Sequence, residues 1–464
     1  MHRTVVLDVV GLTPDLLGDA TPHLREFAHA GAVRPLVPVL PAVTCTVQAS
    51  FMTGLPPRAH GAVANGWYFR DLAEIWLWRQ SDRLVSGEKI WEAAAGRDRT
   101  FTCAKLFWWY NMYTAANWAV TPRPVYRADG RKLPDIYAEP PELRDELTRV
   151  LGPFPLFSFW GPGADITSSR WIAACARHVY DTRRPDLTLV YLPHLDYNLQ
   201  RLGPDHPDLH RDLQALDAVA GELIGHVRRD GARVIVLSEY GITGVSGPVH
   251  LNRALREAKL IRVRHELGRE VLDAGASEAF AVADHQVAHI YVRNPERISE
   301  VKQLLERLQG VGAVLDAEGK RAHGLDHPRS GELVALAAPD RWFTYYYWLD
   351  DAVAPDFART VDIHRKPGYD PAELFVDPTL RVPRIKIGWA LARKALGFRY
   401  LMEVVPLDAS LVRGSHGRLP ATKGTGPLVI SSEPELLPSG AVHATGVKSL
   451  VLSHLFGPEA VRCR

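Results

Sequence analysis

Three short aliphatic runs, Thr4–Val10, Leu187–Leu192 and Arg233–Leu237, constrain the fold most, because each is apolar almost throughout instead of alternating. Continuous apolar character bounded by polar residues predicts strands buried on both faces, as in a parallel sheet covered by helices. Between the second and third runs, Leu209, Leu213, Leu216, Val219, Leu223 and Val227 keep a helical stripe across Pro207–Arg228, completing a strand, helix, strand unit. The expected fold class is α/β, with a mostly parallel central sheet carrying helices on both faces. Ligands of such sheets bind at the carboxyl ends of the strands. Asp8 closes the first run, Asp196 follows the second beyond Pro193, and Glu239 follows the third after Ser238, so three strands bring carboxylates to one edge.

The 464 residues allow one large α/β core over 1–464 with an insertion at 277–400. Within the insertion, Val287–Val292 and Leu333–Ala337 read as strands and Pro295–Leu308 as a helix, giving a smaller α+β unit. From Trp342 to Tyr400 the chain is rich in aromatics and proline, includes the basic patch Arg381–Lys394 and lacks alternation. That stretch is expected to be a lid, or a surface at 342–400 that meets a protein partner. Lys plus Arg total 55 against 53 for Asp plus Glu, which argues against a nucleic-acid footprint. Cys45, Cys103, Cys175 and Cys463 have no CxxC spacing, which points to the reducing cytoplasm and leaves any metal site to imidazole and carboxylate. The start of the chain reads as a strand and not as a signal peptide. Leu151–Trp160 is interrupted by two prolines and falls short of the ~20 apolar residues of a membrane span.

The most informative string runs from Leu40-Pro41-Ala42-Val43-Thr44 through Thr53-Gly54, Pro57 and His60-Gly61 to Asn65. Thr44 lies in a proline-bounded turn before a helical run at Val47–Met52, where its hydroxyl and amide suit a phosphoryl group. Taken alone, the same pattern suits a helix-capping threonine, and Asn65 before Gly66 suits a turn. As an ordered set, Asp8 with Gly11, Pro41 with Thr44, the Thr53–Gly61 string and Asn65 resemble the alkaline phosphatase superfamily. The closest resemblance is to its nucleotide pyrophosphatase/phosphodiesterase branch, and it continues through Gly87–Trp91 and the two later strands.

The resemblance implies a Thr44 nucleophile, an Asn65 donor to a phosphoryl oxygen, and two zinc ions clamping the attacking and leaving oxygens. It places Asp8, Thr44, Glu239 and Tyr240 around one ion, and Asp196, Gln200 and His416 of Ser415-His416-Gly417 around the other. Three positions depart from the family pattern: Gln200 and Tyr240 replace histidines, and Glu239 replaces an aspartate. Tyr240 as phenolate ligand or hydrogen-bonding phenol, and Gln200 as ligand or supporting donor, are both open. This oxygen-rich set shifts the expected divalent ions from Zn²⁺ toward Mn²⁺ or Mg²⁺. His194, two residues before Asp196 on a continued strand, and His364 with Asp370 are further candidates, whereas His323 and His327 read as a turn. The implied function is a metal-dependent phosphoryl hydrolase of phosphodiesterase or pyrophosphatase type, acting on a small phosphorylated substrate. The altered ligands also admit a non-hydrolysing binder of a phosphorylated metabolite or partner, or a phosphoryl or sulfuryl transferase.

Overall fold

The computed structural model describes residues 1–129, 131–382, 388–393, 396–398 and 401–458. Cys463 and, within the basic patch, residues 383–387 and 394 lie outside the described residues. In chain order the strands of the two main sheets are β1 (Thr4–Val9), β2 (Ala32–Val37), β3 (Cys103–Leu106), β4 (Trp118–Pro122), β5 (Ile136–Glu139), β6 (Leu187–Leu192), β7 (Arg233–Leu237), β8 (Ala279–Asp284), β9 (Val287–Val292), β10 (Val311–Leu315), β11 (Leu333–Ala337), β12 (Leu428–Ser431) and β13 (Val442–His443). The larger sheet has the order β13-β2-β12-β7-β1-β6-β3-β4-β5, and the smaller the order β8-β9-β11-β10.

β7, β1, β6, β3 and β4 run parallel, with Asp8 opposite Tyr191 of β6 and Leu237 of β7. Antiparallel pairing enters through β5 on one side and β12 on the other. Every residue of β1 and β6 is buried, as their unbroken apolar runs require. One helical layer contains α2 (Ile166–Arg183) packed on α4 (Leu209–Arg229), and another contains α1 (Thr44–Thr53) packed on α5 (Val447–Phe456). The expected mostly parallel α/β sheet with two helical layers is what forms.

Three sequence expectations change. β6 ends at Leu192 and a helix, α3 (His194–Leu202), begins after Pro193, so His194 and Asp196 share no strand face. His194 Nε2 instead stands 3.1 Å from Asp212 Oδ1. The run Trp342–Trp348 is not a lid surface: Trp342, Tyr345, Tyr346, Tyr347 and Trp348 are buried in a second hydrophobic cluster beneath the smaller sheet. That cluster also takes in Val245, Leu251, Leu255, Leu407 and Val412, so the second unit reaches beyond 277–400 on both sides. Among the described residues no helix is long and apolar enough to cross a membrane.

Candidate active site

Thr44 is the first residue of α1, and Val43 before it is extended, with φ −130° and ψ 154°. The entry to the helix is held from two directions. Ala42 N–H donates to Gly417 O at 2.9 Å, and His416 Nδ1 lies 2.8 Å from Ala42 O. Cys45 N–H, an amide of the first helical turn, donates to Asn65 Oδ1 at 2.9 Å. Hydrogen bonds from main chain and side chain thus tie the threonine turn, the late Ser-His-Gly motif and Asn65 together at the carboxyl edge of the sheet.

A hydrogen-bonded chain runs through one half of the site. Tyr369 OH donates to Gln200 Oε1 at 2.9 Å, and Gln200 Nε2 donates to Asp196 Oδ2 at 2.8 Å. Tyr240 OH donates to Asp196 Oδ1 at 3.3 Å and lies 3.1 Å from Thr44 Oγ1. A phenol has one proton, so with that proton on Asp196 the Thr44 hydroxyl is the donor to Tyr240. Gln200, one helical turn after Asp196 on α3, steadies the carboxylate. Burial and the nearby Asp196 charge hold the Tyr240 hydroxyl protonated, well above the usual phenol range.

In the other half, Gln48 Nε2 lies 3.2 Å from Asp8 Oδ2 and 2.5 Å from Glu239 Oε1. Gln48 Oε1 accepts the Trp109 backbone N–H at 2.7 Å. Asp8 Oδ1, Glu239 Oε2 and His416 Nε2 are buried with no hydrogen-bond partner. Burial, and then the Glu239 charge, pushes the Asp8 carboxyl well above the ordinary range, and burial raises Glu239 as well. Burial together with Glu239 raises Asp196 to about 7.

Sequence reasoning missed the turn between β8 and β9. Asp284, at its start, accepts from Asn65 N–H at 2.7 Å and from Asn65 Nδ2 at 3.0 Å, and lies 2.7 Å from His285 Nδ1. His285, in the left-handed region at φ 59°, stacks on Tyr369 at 3.6 Å and lies 3.7 Å from His416, whose other face carries Tyr240 at 3.6 Å. The sequence signal was an Asp-His pair between two apolar runs, which lacks the glycine or asparagine that marks a tight hairpin.

Asp8, Thr44, Asn65, Asp196, Gln200, Glu239, Tyr240 and His416 all meet at this edge. His364 does not join them: its Nδ1 faces Leu77 O at 3.4 Å, while Asp370 pairs with Lys366 at 2.7 Å. His323 and His327 lie in the turn region between helix 317–322 and β11, with ring nitrogens facing local backbone.

The donor pairs differ in how they suit a divalent cation. With His416 Nδ1 donating to Ala42 O, the bare lone pair sits on Nε2, 3.9 Å from Asp196 Oδ1. Two ligands ~2.1 Å from a common tetrahedral ion lie ~3.4 Å apart, so this pair fits once the two side chains close by ~0.5 Å. Between Asp8 and Glu239 the Gln48 amide supplies N–H donors where a cation would stand, and that pair as arranged does not fit. Among the described residues, no group of three or more His, Cys, Asp or Glu side chains is placed to hold a metal ion.

Comparison with known proteins agrees with the fold. An uncharacterized pyrophosphatase/phosphodiesterase of Schizosaccharomyces pombe is 25% identical over 254 residues, 52% of this chain but only 45% of the yeast protein. Phosphonoacetate hydrolase from Sinorhizobium meliloti 1021, in complex with phosphonoformate, superposes with a TM-score of 0.62 at 16% identity, covering 98% of this chain and 96% of that one. Murine ectonucleotide pyrophosphatase/phosphodiesterase 5, an inactive variant in complex with AMP, superposes with a TM-score of 0.57 at 15% identity, covering 98% and 95%. At these identities the likeness is one of fold. The model of the type I phosphodiesterase / nucleotide pyrophosphatase family matches residues 4–370, and the chain belongs to that family.

Proposed function

We propose that the protein is a phosphoryl hydrolase that cleaves a phosphodiester or pyrophosphate bond of a small phosphorylated substrate, with Thr44 as nucleophile. The observation that carries this reading is the directed chain from the Thr44 hydroxyl to Tyr240 and on to Asp196, set at a helix start on the carboxyl edge of a parallel sheet. As Thr44 Oγ bonds to phosphorus, its proton leaves along this chain and the bond to the departing oxygen breaks. Water then cleaves the threonine phosphoester. The helix start presents positive dipole to the phosphoryl oxygens. Asn65 Nδ2 gives one hydrogen to Asp284, which leaves its second for a non-bridging oxygen.

The family is generally dependent on divalent metal. Here Asp196 and His416 would hold the cation, which supplies Lewis-acid polarisation of the phosphoryl group. With one imidazole among oxygen donors, Mn²⁺ or Mg²⁺ suits the site at least as well as Zn²⁺. Trp78 packs on Trp109 at 4.9 Å and on Tyr369 at 6.0 Å, and Tyr369 on Trp160 at 5.7 Å, a set of rings suited to a flat aryl or nucleobase group. Cys45, Cys103 and Cys175 are buried free thiols, which supports a reducing, cytoplasmic setting.

The experiment is a panel of aryl and nucleoside phosphodiesters with the wild type, Thr44→Ser and Thr44→Ala. We expect Thr44→Ala to lose at least ~10³-fold in kcat, and acid quenching of the wild type to trap phosphate on Thr44. Near-wild-type turnover by folded Thr44→Ala would overturn the covalent reading. Hydrolysis absent from the wild type throughout the panel, with phosphorylated compounds still bound, would favour the non-hydrolysing binder that the altered ligands at Gln200 and Tyr240 admit.

A further inference from the structure

We infer that the active site holds a single cation, on Asp196 and His416, and that the Gln48 amide takes the place of a second between Asp8 and Glu239. The inference rests on the assignment of Asp196 and His416 in the reading above, and it goes beyond that reading in the number of ions and in the residue that sets it.

The orientation of the amide is fixed by the main chain. Gln48 is fully buried on α1, one turn beyond Thr44, and its Oε1 accepts the Trp109 N–H. Turning the amide over would set an NH₂ against that N–H and a carbonyl oxygen against two carboxylates. Nε2 therefore faces Asp8 and Glu239, with one hydrogen for each. An ion bonded to Asp8 Oδ2 and Glu239 Oε1 would have to occupy the position of Nε2, with its charge against the positive ends of the N–H dipoles. The other oxygens, Asp8 Oδ1 and Glu239 Oε2, are buried without a donor, and the two carboxyls lie close enough to share a proton in place of an ion. Swinging the side chain aside would leave the buried Trp109 N–H without its acceptor.

The residues around the amide are consistent with this arrangement. Glu239 is one methylene longer than the aspartate of the family pattern, and it is the carboxylate closer to Nε2, at 2.5 Å. Tyr240, in place of a histidine, turns its hydroxyl to Asp196 and Thr44 instead of offering an imidazole lone pair to the Asp8 side. The opposite pair has the reverse character, since His416 Nε2 is a buried lone pair without any donor. In one half a neutral donor stands between the two carboxylates; in the other Asp196 accepts Tyr240 OH and Gln200 N–H, and the lone pair of His416 Nε2 beside it has no donor.

The test counts ions. Full-length protein is stripped with chelator, saturated separately with Mn²⁺ and with Zn²⁺, desalted and analysed for metal, and the ion is located by anomalous diffraction. We expect about one ion per chain, beside Asp196, lost in His416→Ala and kept in Glu239→Gln. Gln48→Glu, which exchanges the donor for a third carboxylate, is expected to raise the count to about two. Two ions in the wild type, none, or a single ion between Asp8 and Glu239 would each overturn the inference. A folded Gln48→Glu protein that stays at one would overturn the role of Gln48. If Gln48→Glu does not fold, the wild-type count and ion position decide. Loss of hydrolysis in Thr44→Ala, alongside two ions or none in the wild type, would reject this inference while the nucleophile stands. One ion without hydrolysis would do the reverse.

Discussion

Tyr240 has one proton to give and gives it to Asp196, so its oxygen is left to receive the Thr44 proton. Tyr240→Phe keeps the ring that stacks on His416 and removes only the hydroxyl, so a drop of ~10²-fold or more in kcat with little change in KM is expected. An unchanged kcat would show that Thr44 loses its proton by another route. The buried carboxyls also make a stability prediction. Burial and Glu239 raise Asp196 to about 7, and burial raises Glu239. A carboxyl that binds its proton more tightly in the folded state contributes stability that is fully present below its unfolded pKa and is lost as pH rises through its folded one. His416 and His285, lowered by burial, stay neutral in the folded protein while the unfolded rings titrate near pH ~6.5, and Lys105, lowered by burial to about 7, gives up its proton in the same range; both run opposite to the carboxyls. Because those groups run the other way, the Asp196 contribution is read as a difference: the Tm of cation-free wild type should fall relative to that of Asp196→Asn between pH ~6.5 and ~8.5, and a wild-type Tm rising relative to the variant's over that window would contradict the assignment. Asp8, Asp196 and Glu239 were legible in the sequence because strand ends have local signatures, whereas Thr44, which taken alone suits a helix cap, was legible only through its place in the ordered string that resembles the family. Gln48 was not, because in Thr-Val-Gln-Ala-Ser it is one more helical residue, and its orientation depends on the backbone of Trp109, distant in sequence.

At the scale of elements, the sheet was legible and the pieces that bend the chain around the site were less so. The apolar run of β6 shows where a strand lies but not how it ends, and after Pro193 the chain enters α3 instead of continuing extended. Helical geometry then sets Asp196 and Gln200 one turn apart, close enough to bond. Tyr369 reaches Gln200 because its loop is anchored by Lys366, whose ammonium lies 2.7 Å from Asp370 Oδ2 and 2.8 Å from Glu373 Oε1, all three side chains buried. Removing a buried ion-pair partner leaves uncompensated charge, so Lys366→Met should destabilise by about 3–5 kcal/mol. In variants that still fold, kcat should fall as Tyr369 loses its position; chemical denaturation followed by kinetics on the folded fraction measures both. The sequence marked His364 and Asp370 here as a metal or substrate clamp, but the loop uses Asp370 to hold Lys366. Gly414 shows a second constraint, since a Cβ there would lie 2.0 Å from Leu199 O on α3. Gly414→Ala should therefore displace either α3 or the strand leading to His416, lowering Tm and cation affinity together.

Across the whole molecule, the site joins two hydrophobic clusters, one around the large sheet and one around the smaller sheet. Strand patterning predicts a second unit at 277–400, but not that the smaller sheet supplies part of the site, because that depends on where the β8–β9 turn lands. It lands with Asp284 against both the main-chain and side-chain nitrogens of Asn65, and Asn65 in turn holds Cys45 N–H beside the nucleophile. His285 from the same turn packs on His416, and Gln286 N–H donates to His416 O at 2.8 Å, so the turn also bears on the proposed cation side. If this junction positions Thr44, Asp284 and Asn65 should act as one unit. Asp284→Ala and Asn65→Ala should each lower kcat, and the double variant should be no worse than the more severe single one, a coupling of about 1–3 kcal/mol in the cycle. Asn65 retains its own contact to the phosphoryl group in the proposed mechanism, so Asn65→Ala should be the more severe of the two. Additive effects would mean that the smaller unit stabilises the fold without shaping the site.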